Sequence, residues 1–330
     1  MGDMRYRLFG RTGLRVSELF LGAMTFGDID EDRRVLDTYA DAGGNVIDTA
    51  VNYGGGRSEE VVGSLLSGRR DRFVLATKYT VTRDATDPNA AGNHRKNLVA
   101  SLEMSLRRLR TDYVDIYWVH IWDPHTPIEE TMRALDDAVR AGKVLYVGIS
   151  DAPAWVVSRA NTLAEWRSWT PFAGLQVPYS LLNRDIEREM LPMAEAFGMS
   201  VAAWSPLGGG VLSGKYALGG TGRVSPDSIS AHDHAVAAAV GSVAADLGVT
   251  SSQVAIAWTR HRSRAVVPIV GARTVDQLTE NLGALSVSLP DEAVQRLEEA
   301  TGFSRGFLAD FIDSASPHVF GQAGARVDGR

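Results

Sequence analysis

The chain has 330 residues, with 34 Lys and Arg, 40 Asp and Glu, a formal charge of −6 and no cysteine. That length allows two ordinary domains or one large α/β barrel, and 45% apolar with 22% charged residues leaves ample material for a core. The acidic balance argues against nucleic acid and anionic membranes as partners, and the absence of thiols excludes disulfides, thiolate metal sites and cysteine nucleophiles.

Residues 1–7 lack the apolar core of a secretory signal, and no apolar run reaches about 18 residues, so a cytoplasmic protein without a membrane span is expected. Residues 6–9 and 14–16 flank Gly10-Arg11-Thr12-Gly13 and read as a hairpin within an N-terminal segment 1–17. Eight short apolar runs then follow as strands, at 19–21, 46–48, 73–77, 113–119, 144–149, 173–177, 201–204 and 265–267. Between most of them lie helical patterns. Val35, Leu36, Tyr39 and Ala40 share one face, as do Leu98, Leu102, Leu106 and Leu109, and then Met132, Leu135 and Val139. Gly43, Gly142 and Gly248 read as helix stops.

Most steps between strands have room for one strand, one helix and two loops. Such alternation implies parallel pairing, and eight units predict a closed (β/α)₈ barrel spanning 1–330 as a single domain, with the N-terminal hairpin and extra helices or loops near the C-terminus. The competing fold, an open doubly wound sheet, favours a G-x-G-x-x-G fingerprint after its first strand, and this chain has none. The stretch between strands seven and eight is about twice a normal step. It opens on Ser205-Pro206-Leu207-Gly208-Gly209-Gly210, passes through Gly219-Gly220-Thr221-Gly222, and reads as a mobile loop followed by two helices. The tail, 303–330, reads as polar, aperiodic and partly flexible, with Phe303, Phe307 and Phe311 at helical spacing.

In such a barrel the active site gathers at the carboxyl ends of the strands. Strand two ends in Asp48, with Tyr53 in the loop beyond it; strand three ends in Lys78 and strand four in His120. Their chemistry is mutually consistent. A phenol is a poor proton donor in neutral water, and a nearby ammonium makes it a better one. An ammonium inside a barrel mouth needs a counter-charge, which Asp48 supplies. An imidazole hydrogen-bonds a substrate carbonyl oxygen. Each residue alone has an ordinary explanation: a turn aspartate, a snorkelling lysine, a satisfied core histidine. The signal is their joint placement on consecutive strand ends.

With these residues in view, the chain resembles the aldo-keto reductases over nearly its whole length. The resemblance is carried by LFGRTGLRVSELFLGAMTFG, NVIDTAVNYGGGRSEEVVG, FVLATK, SLRRLRTDYVDIYWVHIWD, LQVPYSLLNR, VAAWSPLGGGVLSGKY and VPIVGARTVDQLTENLGA. It implies that Asp48, Tyr53, Lys78 and His120 form a catalytic tetrad with Tyr53 as general acid. It also implies an extended nicotinamide cofactor across the mouth. Ser150 and Gln176 would hold its carboxamide and Trp204 would stack on its ring. Ser205, Leu207, Gly210 and Lys215 would line the pyrophosphate channel. Gly271, Arg273 and Gln277 would surround the adenosine ribose and its phosphate, and Glu280 and Asn281 would meet the adenine. A guanidinium at Arg273 favours NADPH over NADH, because a 2′-phosphate wants forked donors. One departure stands out. Asp151 occupies a position where many relatives carry Asn, and a carboxylate accepts from the carboxamide but cannot donate.

The expected function is NADPH-dependent reduction of an aldehyde or ketone. Phe26, Tyr79, Trp122 and Phe303 are expected to wall the substrate pocket. The resemblance also admits a slow, cofactor-binding regulatory subunit of the channel-β type, or a dedicated reductase of keto-sugars or secondary metabolites. No metal site is expected: His232 and His234 stand two apart before an Ala-rich helix with no further ligand cluster near in sequence. No predicted helix shows an extra apolar stripe, so monomer and homo-oligomer both fit the sequence.

Overall fold

The computed structural model describes residues 4–220 and 222–321. Two short strands open the chain, β1 (Tyr6–Leu8) and β2 (Arg15–Ser17). They pair antiparallel, with Tyr6 opposite Ser17 and Leu8 opposite Arg15. Eight parallel strands follow: β3 (Phe20–Gly22), β4 (Val46–Asp48), β5 (Val74–Tyr79), β6 (Val114–Val119), β7 (Val144–Ser150), β8 (Phe172–Pro178), β9 (Ser200–Trp204) and β10 (Val266–Gly271). They close into a barrel in chain order, β10 pairing with β3 through Gly271 opposite Gly22. The expected (β/α)₈ architecture is present.

Six helices each follow one strand from β3 to β8: α1 (Ile29–Asp41), α2 (Arg57–Leu65), α3 (Arg95–Leu109), α4 (Ile128–Arg140), α5 (Ala154–Arg167) and α6 (Met190–Phe197). After β9 the chain makes short 3₁₀ turns over Gly208–Ser213 and Lys215–Leu218, then forms α7 (Ala231–Leu247) and α8 (Ser251–His261), as the doubled step requires. Ser230 and Thr250 cap these two helices, each in a reciprocal capping box. Gly248 ends α7 in the left-handed conformation that its residue type allows at low cost. After β10 come α9 (Val275–Leu282), α10 (Asp291–Thr301) and α11 (Phe307–Phe320).

The two-residue period of a strand sorts its side chains between two cores. Outward residues such as Leu21, Ile47, Leu75, Tyr117, Ile149 and Leu175 pack under the helices, meeting the buried faces Val35/Leu36/Tyr39 and Leu98/Leu102/Leu106. Inward residues build a second, smaller core: Phe20, Val46, Val74, Ala76, Ile116, Trp118, Ala202, Val267 and Ile269. Phe9 and Val16 of the hairpin join this inner core and plug the barrel at its amino end. The Phe9 and Trp118 rings meet edge to face, centroids 6.0 Å apart. Room for the indole comes from Gly148 and Gly174. A Cβ on Gly148 would stand 2.3 Å from the Trp118 ring, and one on Gly174 2.5 Å from Phe9.

The expected extra C-terminal helices are present as α10 and α11; within the tail, residues 307–320 are helical where the sequence reads as aperiodic, and α11 buries none of its side chains. The rest of the predicted tail, 322–330, and Thr221 of the predicted loop lie outside the described residues. Among the described residues no single helix is long and apolar enough to cross a membrane.

Candidate active site

Inward parity, continued to the carboxyl end, delivers one residue from each strand to the mouth: Gly22, Asp48, Lys78, His120, Ser150, Gln176, Trp204 and Gly271. Seven of the eight line a cavity of about 730 Å³, and Lys78 lies fully buried beneath it. Below this ring the inward positions are apolar, aromatic or glycine except Ser200, whose hydroxyl is taken up by the hairpin: it accepts from the Gly10 N–H at 2.8 Å and donates to the Leu8 carbonyl at 3.3 Å. The ionisable side chains that face the cavity therefore gather in the last layer of the barrel.

Lys78 organises that layer. Its Nζ makes a short ion pair with Asp48 Oδ2, donates to the Thr49 carbonyl at 3.0 Å and to Tyr53 Oη at 3.3 Å. Gln176 Nε2 donates to the other Asp48 oxygen at 3.0 Å. Burial alone would pull the ammonium down; the Asp48 carboxylate and the Tyr53 hydroxyl outweigh it, and Lys78 is held above the usual lysine range. Tyr53 reaches the ammonium because the chain beyond β4 keeps pairing with β5. Thr49 N–H donates to the Ala76 carbonyl at 2.9 Å and Val51 N–H to the Lys78 carbonyl at 3.1 Å. The Tyr53 ring meets His120 edge on, centroids 5.8 Å apart. Burial and the neighbouring Lys78 charge push His120 down to about 3. Its imidazole is neutral at physiological pH, and its Nδ1 is buried with no partner among the described residues.

The remaining predicted cofactor residues share the same cavity. Asp151, Ser205 and Leu207 lie beside Trp204, and Gly210 and Lys215 lie further along. Arg273, Gln277, Glu280 and Asn281 close the far end, on the turn after β10 and on α9. Gly210 has φ +97°, and a Cβ there would stand 2.7 Å from Lys215 Nζ, so the glycine leaves the ammonium its place in the channel. Three non-glycine residues that directly follow barrel strands, Thr80, Asp151 and Ser205, hold positive φ (104°, 44° and 55°), strain gathered where a site is built. Trp204 Nε1 donates to Asp151 Oδ1 at 3.3 Å. Burial raises the Asp151 carboxyl above the ordinary aspartate value, against the Trp204 hydrogen bond, which lowers it.

The predicted substrate wall needs correction. Tyr79 follows the inward Lys78, so the strand period turns it outward. It is fully buried, stacks on Tyr117 at 5.3 Å and donates to the Asn93 carbonyl. Phe26 packs into the outer core at 3% exposure. Trp122 packs edge on against Trp155 and does not line the cavity. Phe303 lies under the guanidinium groups of Arg184 and Arg188, at 4.7 and 5.0 Å, away from the mouth. The wall beside Tyr53 and His120 is instead Met24, Thr25, Asn52, Val81 and Ile121. All five sit in loops just past strand ends, a positional signal available in the sequence. Arg223, in the long loop after β9, also lines the cavity; nothing in its local sequence marks it.

The sequence model of the Aldo/keto reductase family matches residues 18–301. The chain belongs to that family. It is 40% identical to norsolorinic acid reductase stcV of Emericella nidulans, with 91% of this chain and 82% of that protein aligned. It is 38% identical to the putative aryl-alcohol dehydrogenase AAD14 of Saccharomyces cerevisiae (93% and 89% aligned) and to aldo-keto reductase ausK of Emericella nidulans (96% and 86%). Membership of the aldo/keto reductases makes the chain an oxidoreductase and supports carbonyl reduction as its chemistry.

Proposed function

We propose that this aldo/keto reductase uses NADPH to reduce an aldehyde or ketone, with Tyr53 as general acid. The observation that carries the reading is the buried Lys78 ammonium, which touches both the Asp48 carboxylate and the Tyr53 hydroxyl. A nicotinamide bound in the channel would supply the hydride. The residues fit such a group. The last barrel layer gives Ser150 and Gln176 for a carboxamide and Trp204 for a ring face, and the glycine-lined channel is flanked by Lys215, Arg223 and Arg273. Among the described residues none of these three cations has an acidic partner within ion-pair range, which leaves them for phosphate. His120, neutral, donates to the carbonyl oxygen, and Tyr53 gives that oxygen its proton while Lys78 offsets the phenolate charge.

The relatives' names, a norsolorinic acid reductase and an aryl-alcohol dehydrogenase, support an aromatic carbonyl compound as the substrate class. The apolar Met24, Val81 and Ile121 beside Tyr53 suit such a ring. Tyr53→Phe should bind NADPH normally yet lose about 10²–10⁴-fold in turnover of an aryl aldehyde. Near-native turnover would overturn the acid assignment. Arg273→Ala should weaken NADPH by about 1–3 kcal/mol and leave NADH unchanged, since only NADPH carries the 2′-phosphate; loss of one charge-assisted contact is of that size. Equal loss for both cofactors would remove the phosphate role of Arg273.

A further inference from the structure

Near the tetrad, charges are matched with one exception. Lys78 is paired with Asp48, and His120 is neutral. Asp151 is a half-buried carboxylate on the cavity wall, and among the described residues it has no cation within ion-pair range. Its contacts are fixed. The backbone N–H donates to the Gln176 carbonyl at 3.2 Å, the carbonyl accepts from the Trp122 N–H at 3.4 Å, and Oδ1 accepts the Trp204 indole N–H. The residue also sustains a φ of +44°, which a Gly would hold without strain. A carboxylate kept partly out of water with no counter-charge is unfavourable until a cation meets it.

The place it faces says which cation. Asp151 directly follows Ser150 of β7, bonds the Gln176 backbone and touches the Trp204 indole, so it shares the cavity wall with the three residues to which the proposed function gives the nicotinamide ring. That ring is neutral when reduced and positively charged when oxidised. We infer that the Asp151 carboxylate is the counter-charge for the oxidised nicotinamide, so that the protein favours NADP⁺ over NADPH and steadies the positive charge that develops during hydride transfer. In reduction the hydride, with its two electrons, moves to the carbonyl carbon. The C=O π pair moves to oxygen, and that oxygen takes the Tyr53 proton. A nicotinamide held there would be left cationic, with the Asp151 carboxylate to offset its charge, and the phenolate would regain a proton from water. Stabilising the oxidised ring makes the bound reduced cofactor a stronger hydride donor.

The inference rests on the proposed function, and binding measurements separate the two. NADP⁺ and NADPH are titrated calorimetrically against the full chain, as wild type, Asp151→Asn and Trp204→Phe. Asn keeps the acceptor for the indole and removes only the charge. It should weaken NADP⁺ roughly tenfold, the scale of one short-range charge interaction, and NADPH less than about twofold. A tenfold change in that ratio is about 30 mV in the potential of the bound two-electron couple. Trp204→Phe should weaken both forms and keep the wild-type ratio. Equal loss of both forms in Asp151→Asn, or the same ratio change in Trp204→Phe, would overturn the inference and leave the cofactor assignment standing. Failure of the wild type to bind either form would overturn the cofactor assignment and this inference with it.

Discussion

The floor and the mouth of the barrel are made by the same eight strands and the same inward parity, yet they are opposite in character. At the floor the inward residues are apolar or aromatic but for Ser200, which ties down the hairpin, and Phe9 of the hairpin and Trp118 interlock in space that Gly148 and Gly174 leave open. At the mouth five of the eight inward residues, Asp48, Lys78, His120, Ser150 and Gln176, are charged or polar, and Thr80, Asp151 and Ser205 carry strained backbone. The other two non-glycine residues at positive φ, Arg110 and Ser168, are ordinary left-handed caps of α3 and α5. Stability is thus concentrated at one end of the strands and chemistry at the other, a division this fold permits because loops at the mouth vary without disturbing the packed interior.

The hardest test of that division is Lys78, the mouth residue most deeply buried. Lys78→Met should lower turnover by about 10²–10⁴-fold, because Tyr53, the proposed proton donor, loses its cation. It should also cost about 3–5 kcal/mol of stability, because Asp48 is left charged and buried without its partner. Adding Asp48→Asn to the same chain should restore most of that stability and none of the turnover. Chemical denaturation together with steady-state rates reads both quantities. If the double variant is no more stable than the single one, the pair is not the unit described here.

How legible this arrangement was depends on the kind of signal. The strands and the convergence of Asp48, Tyr53, Lys78 and His120 were readable because they follow from period-two alternation and from polar residues ending apolar runs at 48, 78 and 120. Tyr79 departs from the expected wall because that same alternation turns the residue after Lys78 outward. Phe26, Trp122 and Phe303 are loop or tail residues, and no periodicity fixes where a loop side chain points. Arg223 approaches the cavity only through the path of the long loop after β9, which sequence spacing does not specify. Polar, glycine-containing flanks mask helix α11 in the sequence, although Phe307 and Phe311 stand at helical spacing and their rings stack at 5.6 Å.

The floor supplies the converse test. Trp118→Ala should cost about 3–5 kcal/mol by removing a fully buried indole, while the folded fraction keeps cofactor binding and turnover. Gly148→Ala should cost less, about 1–3 kcal/mol, because its methyl group overpacks the same space. Combined, the two should cost less than their sum, since the new methyl enters the space the indole leaves. Loss of turnover in the folded Trp118→Ala protein would show that floor and mouth are coupled.

The smallest expected effect is an absence of change at His120. Its folded value of about 3 lies below the 6.5 of an unperturbed histidine, chiefly through burial and then through the Lys78 charge. From pH 8 to 5 its imidazole nitrogens, followed by NMR, should keep neutral-ring shifts with no titration step, and His120 should impose no acid limb on turnover there. The linked stability effect has a definite sign. Between pH 6.5 and 3 the unfolded chain takes up a proton at this residue and the folded chain does not. This group's contribution therefore falls as pH drops below 6.5, and levels off once the folded imidazole also protonates near 3. Lys78→Met bears directly on this value: removing the ammonium should raise the His120 titration toward 6.5, but burial, the larger cause, should keep it well short. An ordinary midpoint near 6.5 in the wild type would mean that water reaches His120 freely, and the burial of the last barrel layer around Lys78 would have to be redrawn.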